Sequence, residues 1–197
     1  MIKKEYDMKN FSAATMIALS ACVISLSIGC SSVTIKDPLS ENPEPIDQEK
    51  LEGTWVLNDE VFHVKFGSNG VAQIAGVEWE SNQFHIVHAE VIVTKGDKHN
   101  FLSVRRQEDG RWMGDYYFLS YMFAENGDLV AWVPNANVFK NLIKEKELQG
   151  VITEGKYSTS VSITNSPLKL LKLINDPENL KLFEYTEPTI IRKISEK

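Results

Sequence analysis

From Leu51 to Trp132 the chain repeats one device: short runs of alternating apolar and polar side chains, each ended by a turn-forming cluster. Few folds satisfy that pattern, because a period of two puts every second side chain on the same face of a strand. In Phe62-His63-Val64-Lys65-Phe66 the three apolar groups share one face and the His and Lys the other. Turns are expected at Gly67-Ser68-Asn69-Gly70, at Ser81-Asn82, over Lys95 to Asn100, at Glu108-Asp109-Gly110 and at Glu125-Asn126-Gly127-Asp128. Between them, strands are expected over Val71 to Trp79, Phe84 to Thr94, Phe101 to Arg106, Trp112 to Phe123 and Leu129 to Val133. Gly76 reads as a bulge, and a second bulge is needed near Val87 or His88 to bring Phe84 and Ile86 onto the face of Ala89, Val91 and Val93. The expectation is a mainly β domain with added helices, an antiparallel meander of seven strands curled into a barrel or half-barrel.

After Pro134 the period changes. Val138, Phe139, Leu142 and Ile143 fall on one side of a short helix whose other side carries Lys140, Asn141, Lys144 and Glu145, with Gly150 as its stop. Val161 and Ile163 alternate with polar neighbours in one more strand. Ser166-Pro167 opens a second helix, whose Leu168, Leu170, Leu171, Leu173 and Ile174 need a surface to cover. Another helical turn is expected at Asp176-Pro177-Glu178, and Glu187 to Ile194 reads as an edge strand with Pro188 at its start. Both faces of Trp112 to Phe123 are apolar or aromatic, so that strand is expected to be central and covered on both sides.

The N-terminus carries a different signal. Lys3, Lys4 and Lys9 precede the uncharged run Phe11 to Gly29, which is followed by polar chain, the order of an export signal. Its end resembles that of bacterial lipoproteins, in which Leu and two small residues precede a Cys that receives the lipid. Leu19-Ser20-Ala21-Cys22 matches that box more closely, but the chain after Cys22 is still apolar, whereas Cys30 is followed by Ser31-Ser32 and charged, proline-bearing sequence. Cys30 is therefore the expected lipidation site and Cys22 the alternative. The resemblance implies acylation and cleavage before the Cys, so that membrane lipid is the first partner. With no Asp after either Cys, it also implies an outer-membrane location, facing the periplasm. The expected organisation is a signal peptide over 1–29, a flexible Pro-containing tether over 30–50 and one globular domain over 51–197.

Of 21 Lys and Arg and 27 Asp and Glu, three and two precede residue 30, which leaves 18 against 25 and a formal charge of −7. An acidic domain without a basic cluster argues against nucleic acid as a partner. Both cysteines lie in the signal region, so the domain stands on burial, without a disulfide.

Chemical motifs are sparse. The sequence holds no Gly-x-Ser-x-Gly elbow, His-Glu-x-x-His, phosphate-cradling glycine loop or Cys-x-x-Cys. His85 and His88, three apart on a strand, fall on opposite faces, and His63 has no ligand-spaced companion, which reads as surface or cross-strand histidines without a metal. Glu78 and Glu80 share a strand face around Trp79, as outward residues of an amphipathic strand do. No catalytic residue and no cofactor is expected.

One further resemblance bears on function. Gly53-Thr54-Trp55 at the entry to the first strand is similar to the Gly-x-Trp signature of lipocalins and related calycin barrels. In that family the Trp packs across the closed end of an up-and-down barrel against an Arg near the last strand. The resemblance implies that place for Arg192, although here a helix precedes the last β run. Three functions stay open: a non-catalytic binding or envelope-protein interaction module, a carrier of a small apolar ligand, and an enzyme without a recognisable motif. The first is the leading expectation.

Overall fold

The structure is a computed structural model that describes residues 31–41, 43, 45–58, 60–80, 82–108 and 110–194. The export signal, Cys22 and Cys30 lie outside the described residues. Eight antiparallel strands close a barrel: β2 (Gly53–Leu57), β3 (Glu60–Phe66), β4 (Ala72–Glu80), β5 (Gln83–Thr94), β6 (Asn100–Glu108), β8 (Tyr116–Phe123), β9 (Leu129–Trp132) and β12 (Thr189–Ile194). Each pairs with the next, β6 bonds directly to β8, and β12 closes the ring between β9 and β2. The two-residue β7 (Arg111–Trp112) pairs with the end of β6.

The meander follows the alternation, save that the expected strand Trp112 to Phe123 is split, with Trp112 in β7 and β8 beginning at Tyr116, and with three further differences. β12 is not an edge strand, since both of its sides are paired. Neither expected bulge exists. The β4–β5 register runs without a break from Ala72↔Val91 to Glu80↔Gln83, and β5–β6 runs without a break from His88↔Gln107 to Thr94↔Phe101. An unbroken β5 cannot bring Phe84 and Ile86 to the face of Ala89 and Val91. They lie on the outside, 74% and 83% exposed. Gly76 instead lets two strands approach, because a Cβ there would stand 3.3 Å from the Phe62 Cβ across the ladder.

The third difference is the N-terminal segment. Ser32–Ile35 is a strand, β1, parallel to β11 (Thr159–Ile163) and antiparallel to β8. Val33, Ile35 and Leu39 are buried, and the Leu39 amide donates to Ser103 Oγ at 3.0 Å. The chain then reaches the short helix α1 (Gln48–Leu51) at one end of the barrel. The described residues from Ser32 to Leu51 thus include a paired strand, buried side chains and a helix where the sequence suggests a flexible tether. Four alternating residues leave a faint periodic signal, and their partner strand lies over a hundred residues away.

A second layer covers the outside of β8 and its neighbours. It comprises β1, β10 (Gly150–Glu154), β11, α2 (Ala136–Lys144), α3 (Pro167–Asn175) and a 3-10 helix over Pro177–Leu182. Asn135 caps α2 by accepting from the amides of Asn137 and Val138. Gly150 does not stop this helix, which ends at Lys144; it opens β10 instead. Leu170 and Ile174 of α3 pack with Phe101, Phe118, Phe139 and Ile163. The other face of β8 lines the barrel, so this strand is covered on both sides as its composition predicts.

The inclusion of β1 in the core gives a direct expectation. Ile35→Ala should cost about 2–5 kcal/mol of unfolding free energy, as for other buried Ile truncations. In a free tether the same change would stay within about 0.5 kcal/mol, as at an exposed site. Urea denaturation of the domain distinguishes the two.

Candidate functional site

The barrel wall alternates, so one side chain in two points inward. Phe62, Val64 and Phe66 of β3, Ala72 and Ile74 of β4, and Leu102 and Val104 of β6 meet Tyr117 and Leu119 of β8 and Ile191 of β12 around a continuous apolar cavity. Its volume is about 60 Å³. Of these wall residues, Phe62, Val64, Phe66, Tyr117, Leu119 and Ile191 point inward but keep part of their surface exposed. Both cores hold fully buried side chains beside partly exposed ones: Trp55, Val93 and Tyr121 of the barrel, like Phe118, Phe139 and Ile163 of the second layer, are at most 2% exposed.

α1 closes one end. Its Leu51 carbonyl accepts the indole N–H of Trp55 at 2.8 Å, and Trp55 is only 2% exposed. Tyr121, inward on β8, donates to Asp47 Oδ2 at 3.3 Å, and the Asn100 amide reaches the same oxygen at 3.0 Å. Burial first, and then the Asp47 charge, hold the Tyr121 phenol well above its ordinary value. It therefore stays a neutral donor.

The cation over Trp55 is Lys193 and not Arg192. Lys193 stands opposite Trp55 in the β12–β2 register, its ammonium lies 5.3 Å from the ring centroid, and it also donates to the carbonyls of Glu49 and Lys50. Arg192 stands opposite Val56 and is exposed. Gly53 makes the crossing possible, for a Cβ there would lie 3.2 Å from Lys193 Cε, and its φ of +128° is one that only glycine adopts without strain. Gly53 and Trp55 are thus brought together as the Gly-x-Trp pattern suggests, with the cation one residue later than expected. The paired register of β12 with β2 settles which of the two residues faces in.

At the end remote from α1 the wall becomes polar. Arg106 stands opposite Ala89, on the face of Leu102 and Val104, and its Nε is buried without a hydrogen-bond partner among the described residues. Its Nη1 is 3.7 Å from Glu108. Glu60 occupies the corresponding position on β3. Sequence reasoning passed over Arg106, although the parity of Leu102, Val104 and Arg106 was the available signal.

The other singled-out residues do not converge here. His63 Nδ1 is 2.9 Å from Thr54 Oγ1, and His88 bridges Gln107 at 2.9 Å and Gln73 at 2.7 Å, the cross-strand roles expected of them. His85 stands opposite Glu78 in the register, and the side chains of Glu78 and Glu80 lie outside the described residues. Among the described residues no three His, Cys, Asp or Glu side chains are grouped to hold a metal ion. A second, wider concavity is a surface cleft beside His99, Phe183 and Tyr185. Burial lowers the His99 pKa, and its ring rests between Trp132 and Tyr185 at 5.4 and 5.6 Å.

No protein-family model, curated protein or solved structure matches the chain.

A double-mutant cycle checks the closed end. Losses of unfolding free energy for Trp55→Leu and Lys193→Met should fail to add by at least about 0.5 kcal/mol, in the range of a cation–π contact. Arg192→Met paired with Trp55→Leu should add within about 0.3–0.5 kcal/mol.

Proposed function

We propose that the protein is a lipid-anchored, non-catalytic binding module of the bacterial envelope, held by acyl chains on Cys30, with the barrel lumen as its ligand site. The observation that carries this reading is the continuous cavity inside the barrel, walled by apolar side chains. Six of its wall residues, Phe62, Val64, Phe66, Tyr117, Leu119 and Ile191, keep part of their surface exposed. A ligand inside the barrel would supply the contacts these side chains lack.

The lining limits the ligand. Tyr117 has the one hydroxyl among these side chains, and the Trp55 N–H is committed to the Leu51 carbonyl. Such walls favour hydrocarbon and supply little for proton transfer or nucleophilic attack. A cavity of about 60 Å³ is well below the roughly 300–1,000 Å³ of drug-sized sites, so only a slender ligand is expected, and a single alkyl chain would enter as partly exposed wall side chains such as Phe62 and Phe66 swing aside. Its head would rest at the polar end, near Glu60 and Arg106. In this reading the lipocalin-like signature at Gly53 and Trp55 belongs to a carrier, with an outer-membrane location facing the periplasm.

A second reading, docking of an envelope protein, rests on the outer face of β3, β4 and β5. There Val61, Val77 and Ile86 form an exposed cross-strand row, with Phe84 beyond it.

Binding of a fluorescent single-chain fatty acid tests the first reading. The wild-type domain should bind it saturably, and Val64→Trp, which fills the lumen, should weaken binding at least about tenfold. The variant should stay folded, since overpacking costs about 1–3 kcal/mol. No saturable binding, or equal binding by a folded Val64→Trp protein, would remove the lumen as the ligand site.

A further inference from the structure

We propose that the β10–β11 turn is a second membrane contact, which sits in the headgroup layer beside the lipid anchor and sets how the barrel stands on the bilayer. The inference rests on acylation at Cys30. Ser31 Oγ accepts from the Thr159 amide at 3.2 Å, and Ser32 pairs with Ser160 in the parallel β1–β11 ladder. The chain is therefore fixed to the start of β11 from the first residue after the acylated Cys, and consecutive α-carbons are about 3.8 Å apart. A free tether of some twenty residues would let the domain drift tens of ångströms from the lipid. Here the start of β11 is carried with the anchor.

Parallel register then fixes which part of the fold shares that level. Two residues upstream of Ser32 is Cys30, and two upstream of Ser160 is Ser158, the last residue of the turn Gly155-Lys156-Tyr157-Ser158. The Gly155 amide closes this turn by donating to the Ser158 carbonyl at 2.8 Å. At its tip Tyr157 is 78% exposed, and the Lys156 ammonium lies 4.9 Å from the ring centroid. A Tyr with an apolar ring and polar tip, beside a Lys with a long stem, suits the headgroup layer, roughly 5–8 Å deep on each side of the hydrocarbon. The acyl chains supply the affinity, and the turn supplies orientation.

The orientation has a consequence for the lumen. β1 runs away from the anchor and is antiparallel to β8, with Ile35 opposite Tyr116. Tyr116 and Tyr117 therefore lie on the membrane-distal side. Tyr117 stands opposite Val104, next to Arg106 on the same face. The polar end of the barrel thus points away from the bilayer, and ligand exchange goes through the aqueous side.

The test uses the full acylated protein in vesicles of phosphatidylethanolamine and phosphatidylglycerol. Signal cleavage removes Cys22 and the lipid blocks Cys30, so an engineered Cys is the only free thiol. A bimane label at Lys156→Cys should be quenched about twofold or more by a headgroup nitroxide lipid, while one at the exposed Arg111→Cys, on the distal side, should not. Adding Tyr157→Ser should reduce quenching at position 156. Equal quenching at the two positions, in protein that carries palmitate and floats with the vesicles, would overturn the turn contact and leave acylation intact. Palmitate that persists in a Cys30→Ser protein would move the anchor to Cys22, eight residues earlier. That result would overturn the Cys30 assignment and this inference together.

Discussion

Closure of the barrel by β12 is the constraint on which the rest depends. An up-and-down sheet of seven strands has two open edges, and each would present unpaired backbone groups. Here both edges are satisfied by the C-terminal strand, which lies between β9 and β2 and is stapled to β2 by Lys193 over Trp55. Between β9 and β12 the chain builds α2, β10, β11, α3 and the 3-10 helix. All of the second layer but β1 is thus an insertion between the last two strands of the barrel, and closure pairs strands separated by that insertion. Such long-range pairing raises contact order, so slow folding is expected.

How much of this was legible follows from how polar each strand's outer face is. β3 shows its lumen face plainly, because His63 and Lys65 mark the other side. β5 misled because Phe84 and Ile86 are apolar and outward. A rule that puts large apolar residues inside then demands a bulge that the register does not contain. β12 misled in the opposite way. Pro188, Arg192 and Lys193 suggest an exposed edge, but Lys193 faces in, its stem lying against Gly53 and its ammonium reaching the α1 carbonyls. β1 was hidden by its shortness, four residues, and by its distant partner. Helices α2 and α3 and the two-sided burial of β8 were readable, since their periodicity and composition are local, whereas the four-residue α1 was not.

The candidate site was legible only in outline. The pair Gly53 and Trp55 pointed to the closed end, but the cation that completes it is fixed by register, which alternation alone does not reveal. Arg106 at the polar end was visible by parity with Leu102 and Val104. The lumen cavity belongs to the assembled fold and has no single-residue signature.

The lumen cavity is the centre of the account, and xenon tests it most directly, because the gas enters apolar cavities that have room for it and is excluded from close-packed cores. In crystals under xenon pressure, density is expected inside the barrel, bounded by Phe62, Ile74 and Leu119, with none among Phe118, Phe139 and Ile163. Xenon in the second layer, or a lumen that takes up none because its side chains fill it, would contradict the account.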